Sequence, residues 1–254
     1  MQRFANPTLF SKLGAAVLPW TAAAAVLLLA IGLVWGLVFS PADYQQGETV
    51  RIMYVHVPAA WMAMFIYTAM AVASAVAIIW RHPLADVAAK CSAPIGACFT
   101  FLALATGALW GKPMWGAWWV WDARLTSVFV LFLLYLGYIA IWQLIEQPQR
   151  AARIAAIVAL VGFVNVPIVK FSVDWWNSLH QPASVFKMDG PAIDPSMLWP
   201  LLVMGAAYLF LYVTLLLISM RTEIVSRRIQ SLELAAVRGQ ARGRVGPAAQ
   251  SQRA

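Results

Sequence analysis

Charge is scarce in this 254-residue sequence. Asp, Glu, Lys and Arg together make up 11% of it, and there are only two cysteines. So little charge leaves no polar surface for a separate soluble domain of any size. Cys91 and Cys98 on one helix would stand roughly 10 Å apart at 1.5 Å per residue. That exceeds the about 7 Å a disulfide tolerates, so both are read as small apolar filler. A phosphate-binding P-loop is also missing: GALWGKP at 107–113 has the wrong spacing and no Ser or Thr, so any ATP hydrolysis belongs to a partner. Nor does the N-terminus read as a cleavable signal peptide. Its apolar run, Trp20 to Phe39, is too long for one, and no A-x-A site follows.

What fills the chain is apolar. Hydrophobic residues make up 62%, and the mean hydropathy is +0.74. Six apolar runs stand out near 20–39, 59–80, 93–110, 125–145, 154–171 and 198–220. Each is long enough to cross a hydrocarbon layer about 30 Å thick as a helix. The fifth is the weakest, because Asn165 and Pro167 interrupt it and Pro167 predicts a kink. Pro58 suits the first turn of the second helix, and Asp122 can cap the fourth. Gly32 and Gly36, and likewise Gly107 and Gly111, have the spacing of close helix packing, within this chain or against a neighbour. The reading is an all-α integral membrane protein with six transmembrane helices.

Six spans put both termini on one side, and basic residues say which. The formal charge is +8, and seven of the 18 Lys and Arg lie in the tail from Arg221 to Arg253. Thirteen fall on the side of the termini and five on the other: Arg51, Lys112, Arg124, Lys170 and Lys187. Positive-inside then predicts cytoplasmic termini, with the tail carrying most of the asymmetry. A basic juxtamembrane tail reads as a topology signal or a grip on anionic membrane lipid, and no nucleic-acid partner is expected. Residues 1–220 form the membrane domain. Residues 221–254 read as a basic cytoplasmic tail, disordered by composition.

This topology sends three loops to the outer face, near 40–58, 111–124 and 172–197. They carry His56, the run WGAWWVWD at 115–122, and His180, whereas His82 falls on the cytoplasmic side. Scattered tryptophans such as Trp20, Trp80, Trp142 and Trp199 need no explanation beyond the membrane interface. Four in one loop exceed what a belt requires and suggest a flat aromatic platform, with Gly116 permitting close approach. Arg51, Lys112 and Arg124 could pair with carboxylates, and Asp122 adds a polar group. In SVDWWNSLHQP, Trp176 and His180 are four apart, so a short interfacial helix near 173–180 would put them on one face. An aromatic plane, cations and two neutral imidazoles together suit haem, with its flat macrocycle, propionates and axial positions. The chain has no CxxCH, so covalent attachment at such a motif is excluded.

WGAWWVWDARLTS resembles the tryptophan-rich "WWD" signature of the haem-handling protein superfamily. The chain length, the six spans, the VHVPAAW segment and one flanking histidine on each side resemble its haem exporter protein C branch, in the cytochrome c maturation system. The larger haem lyases have more spans and histidines. The resemblance implies that His56 and His180 are axial ligands to the iron of a non-covalently held haem b. It implies that Trp115, Gly116, Trp118, Trp119, Trp121 and Asp122 form the signature. It implies a site on the periplasmic side of a bacterial inner membrane, an ABC-type pair CcmA and CcmB, a small subunit CcmD, and delivery of haem to the chaperone CcmE. Arg51 and Arg124 as propionate partners, and Trp176 beside His180, are inferences from charge and position. Two rivals stand beside this reading: a subunit that itself carries haem across the bilayer, for which the spans offer Asn165 and a few Ser and Thr, and a quinol-linked membrane enzyme using the platform for a quinone.

Overall fold

In the computed structural model, the structure describes residues 6–245 except 177, 182, 183, 186 and 188, with side chains described as far as residue 237. Seven α-helices make six spans: α1 (Pro7–Val34), α2 (Met53–Trp80), α3 (Ala85–Trp115), α4 (Ala123–Leu144), α5 (Pro148–Gly162), α6 (Asn165–Trp175) and α7 (Pro195–Val245). Asn6 caps α1 by accepting from Thr8 N–H at 2.9 Å, with Pro7 in the first helical position. α1 runs on into a wide π-helical turn at Trp35–Phe39, and a 3₁₀ turn at Glu48–Ile52 leads into α2.

The fifth span is broken. α5 stops at Gly162 and α6 starts at Asn165, just ahead of Pro167, which has no N–H to give to the Phe163 carbonyl. The Asn165 amide instead donates to the Ser127 carbonyl at 2.9 Å, tying α6 to α4.

α2 and α3 pack together at the centre, and tyrosines fill the core: Tyr54, Tyr67 and Tyr135 are fully buried. The Tyr135 hydroxyl donates to the Ala63 carbonyl at 2.7 Å, and Ser92 and Tyr212 share a hydrogen bond of 2.9 Å. A membrane core has no water to satisfy such hydroxyls, so these partners hold α2, α4, α3 and α7 in register. Gly32 lies against Met204 of α7 and Gly36 against Tyr54 of α2, so this glycine pair packs within the chain.

The connections sort into two ends. Pro7, residues 81–84, residues 145–147 and the distal half of α7 lie at one end, the terminal end. Residues 40–47, 116–122 and the described residues of 176–194 lie at the other, the site end.

Three expectations are corrected here. α2 begins at Met53, so Pro58 is inside the helix and His56 sits in its opening turns rather than ahead of it. The 3₁₀ turn before it supplies this earlier start. Trp115 is the last residue of α3 rather than a loop residue, and Gly116 closes the helix with φ +76°, the left-handed backbone that favours glycine. Among the described residues, no interfacial helix covers 173–180: α6 ends at Trp175, Trp176 is extended (φ −133°, ψ 153°), and Ser178 and His180 bond to Asp122 instead of to their own backbone. Of the tail at 221–254, residues 246–254 lie outside the described residues, and residues 221–245 continue α7 as helix. Helix formers such as Glu233, Leu234, Ala235 and Ala236, together with an anchor near residue 223, sustain it.

That anchor is at the terminal end. Arg227 pairs with Asp86 at 2.8 Å and with Glu223 at 2.8 Å, and Lys90 pairs with Glu223 at 2.7 Å. Both cations lie over the Trp142 ring, Lys90 Nζ at 4.8 Å and the Arg227 guanidinium at 5.8 Å. The cluster joins α3, α4 and α7.

Candidate functional site

His56 is held from α3. Its Nδ1 lies 3.0 Å from the Ala103 carbonyl oxygen and 3.1 Å from Thr106 Oγ1. A carbonyl can only accept, so Nδ1 must carry the proton. The Thr106 hydroxyl spends its own hydrogen on the Leu102 carbonyl at 2.6 Å and is free to accept as well. The Nε2 lone pair is therefore left over. The Trp110 ring stands edge-on to the imidazole, centroids 5.7 Å apart, and donates its indole N–H to Gln46 Oε1 at 3.0 Å.

His180 is held from α4. Asp122 is the N-cap of that helix, and its two carboxylate oxygens divide the work. Oδ1 accepts from Leu125 N–H at 2.8 Å. Oδ2 accepts from the Ser178 hydroxyl at 2.5 Å and from His180 Nδ1 at 3.0 Å. The backbone N–H of His180 donates in turn to Ser178 Oγ at 3.1 Å, so the segment turns back on itself at Ser178. An ionised carboxylate also only accepts, so His180 too carries its proton on Nδ1 and leaves Nε2 free. The Trp115 ring meets the imidazole edge-on, centroids 4.9 Å apart.

Burial pushes the Asp122 carboxyl up, but the donors from Ser178, Leu125 and His180 outweigh it and hold the group below the usual carboxylate range. Burial pushes the His180 imidazole down, and Arg124 adds to this. Asp122 opposes both without prevailing, so the ring is neutral at pH 7. Neutral imidazole is the form that ligates metal.

The structure brings several of the sequence-predicted residues to one place. His56 and His180 lie at the same end of the bundle, within electrostatic reach of each other, and Arg124 acts on both. Trp115 and Asp122 touch His180 directly. Trp119 packs edge-on against Trp121 (5.4 Å) and Phe129 (6.0 Å), and its indole N–H is buried with no acceptor. Trp118 and Trp121 present 56% and 73% of their surface, and Lys112 Nζ stands 5.9 Å from the Trp118 ring. Trp118 and Trp121 are thus exposed, while Trp119 is packed.

Other residues stand apart. Arg51 donates to the Leu37 carbonyl at 2.8 Å and to Glu48 at 2.5 Å, so it clamps the 3₁₀ turn to the π-helical turn that follows α1. Arg124 donates to Ser172 Oγ and to the Lys170 carbonyl, each at 3.3 Å, which commits much of its guanidinium to α6. Trp176 is exposed and meets Trp175 rather than His180. Sequence reasoning missed Ser178, Thr106, Gln46 and Trp110. Only Ser178, two residues before His180, left a local signal, since Ser readily bonds the backbone two residues on.

The family model described as heme exporter protein C matches residues 1–235. Proteins named heme exporter protein C are similar over most of the chain. The Bradyrhizobium diazoefficiens protein is 61% identical over 230 residues, which cover 91% of this chain and 87% of that one. The Haemophilus influenzae protein is 47% identical over 222 residues, covering 87% and 90%. The Escherichia coli K12 protein is 46% identical over 208 residues, covering 82% and 84%.

Proposed function

The chain belongs to the heme exporter protein C (CcmC) family, and from that premise we propose that it binds haem at the site end and presents it for cytochrome c maturation. The observation that carries this reading is the matched pair of imidazoles. His56 and His180 come from remote segments, share one end of the bundle, and each hold Nδ1–H against an acceptor with Nε2 left for iron.

The surroundings suit the rest of the molecule. Trp118 and Trp121 offer flat apolar surface for a porphyrin face, and the buried Trp119 N–H lacks an acceptor that a carboxylate-bearing ligand or an ordered water could supply. Lys112 already donates to the Gly116 carbonyl at 3.0 Å, and of its three N–H donors the other two remain beside Trp118 to meet a propionate. Arg51 and Arg124, which charge alone nominated, are each held by two hydrogen bonds to the protein and would have only their remaining donors to offer. Trp115 and Gly116 shape the approach, one against His180 and the other by turning the chain away from α3.

The haem is haem b, held without a covalent bond. His56 and His180 would hold the iron through their Nε2 atoms and keep it from other ligands, so that the haem would be protected until a recipient takes it. The site faces the periplasm from a bacterial inner membrane, as the basic residues at the terminal end imply. The recipient is the chaperone CcmE, and the membrane partners are CcmA, CcmB and CcmD, with ATP hydrolysis in the partners. ATP binding or hydrolysis would act by shifting the complex toward a state that holds haem less well.

Transfer in a defined system tests this. Haem-loaded protein reconstituted with its partners and apo-CcmE is expected to pass haem to the chaperone on ATP addition, read as covalent haem on the chaperone. Equal labelling of the chaperone by free haem, with the membrane protein omitted, would count against the proposal.

A further inference from the structure

Two features of Asp122 go together: it caps α4 through Oδ1 and faces His180 through Oδ2. We propose that Asp122 is a positioning residue that fixes which nitrogen of His180 faces the haem iron, and that the two imidazoles are therefore held unequally. The inference rests on the haem-binding reading of the site.

The argument is one of donors and acceptors. A neutral imidazole carries one N–H and one lone pair, and the partner at Nδ1 decides which nitrogen has which. An ionised carboxylate can only accept, so it enforces Nδ1–H and leaves the Nε2 lone pair to bind metal. Its negative charge also makes the ring a stronger donor to iron. Across the site, His56 faces a peptide carbonyl and a hydroxyl, which are neutral acceptors. They fix the same tautomer without adding charge. His180 is thus the firmer ligand and His56 the weaker one. Ser178 supports the arrangement by donating to the same oxygen at 2.5 Å and accepting the His180 N–H.

Capping and positioning can be separated by substitution. Ser and Asn are both good N-caps, so Asp122→Ser and Asp122→Asn each keep α4 closed. They differ at His180. If Asn keeps its oxygen on Leu125 N–H, its NH₂ points at Nδ1 and can only donate. The ring is then driven to the Nε2–H tautomer, which has no lone pair for iron. Ser leaves the ring free to adopt either tautomer.

The experiment is ¹⁵N NMR of histidine-labelled, ligand-free protein in detergent, with absorption spectra of the same preparations after haem loading. The wild type is expected to show His180 as Nδ1–H, Asp122→Asn as Nε2–H, and Asp122→Ser as a mixture. Six-coordinate haem should fall in the order wild type, Ser, Asn, with Asn resembling His180→Ala. If Asn and Ser both matched the wild type in tautomer and in spectrum, Asp122 would be a cap alone and the proposal would be overturned. Should His180→Ala retain six-coordinate haem, it is the haem-binding reading that fails, and the tautomer of ligand-free His180 still decides the role of Asp122.

Discussion

The Cε1 atom of the His56 ring lies 3.0 Å from where a Cβ on residue 107 would stand, so Gly107 of α3 leaves the space that the imidazole of α2 fills. Spacing alone marked Gly107 and Gly111 as a helix-packing pair. They do serve packing within the chain, but against rings of the candidate site: the Trp115 ring lies equally close, 3.0 Å, to where a Cβ on residue 111 would stand.

Gly107→Ala separates fold from site. Alanine favours a helix interior over glycine by up to about 1 kcal/mol, so thermal stability should hold or rise. Its Cβ nevertheless presses on His56 and displaces the ring by a few tenths of an ångström. Haem occupancy should fall while the melting temperature does not, and Gly107→Val should exaggerate the split. Unchanged occupancy in both variants would show that the ring has room to spare.

The terminal-end cluster predicts a stability effect without a haem effect. Arg227 is 34% exposed and Asp86 21%, so their pair is partly screened and well below the value of a buried one. Removing Arg227 also takes a cation from Trp142 and leaves Glu223 with Lys90 alone. Arg227→Ala is expected to cost about 1–2 kcal/mol, read as a lower melting temperature in detergent. The Soret band of loaded protein should keep its position.

Arg51 offers a test of an assignment that charge suggested. It is bound to Leu37 and Glu48, so Arg51→Gln should loosen the turn before α2 with little change in haem affinity. A tenfold or greater loss of affinity in a titration, with the fold intact, would instead give Arg51 to a propionate.

Acid should release haem with a definite sign. Burial lowers the His180 value below the ordinary imidazole figure of about 6.5, so the folded protein resists protonating this ring. The neutral form, and with it the iron ligand, persists as pH falls through that figure and is lost only further down. Haem content measured after equilibration should be flat from pH 8 to about 6.5 and decline below it. A decline beginning near pH 8 would contradict the burial of His180.

The six spans were legible because a bilayer demands long apolar runs, and nothing else in the chain competes with them. Asp122 as a helix cap was legible too, from its place before a long apolar run. Other features hid for physical reasons. Asp86 and Arg227 are 141 residues apart, so no local pattern announces their pairing. The helical spacing of Trp176 and His180 was real, but Asp122 and Ser178 supply better hydrogen bonds than another turn of α6. Thr106, Gln46 and Trp110 act through contacts that only folding creates.

The most direct measurement is the absorption spectrum and haem content of the purified protein beside His56→Ala, His180→Ala and the double variant. Loss of six-coordinate haem in each single variant, and of nearly all haem in the double, is the predicted result. Wild-type haem content and an unshifted Soret band in the double variant would contradict the account.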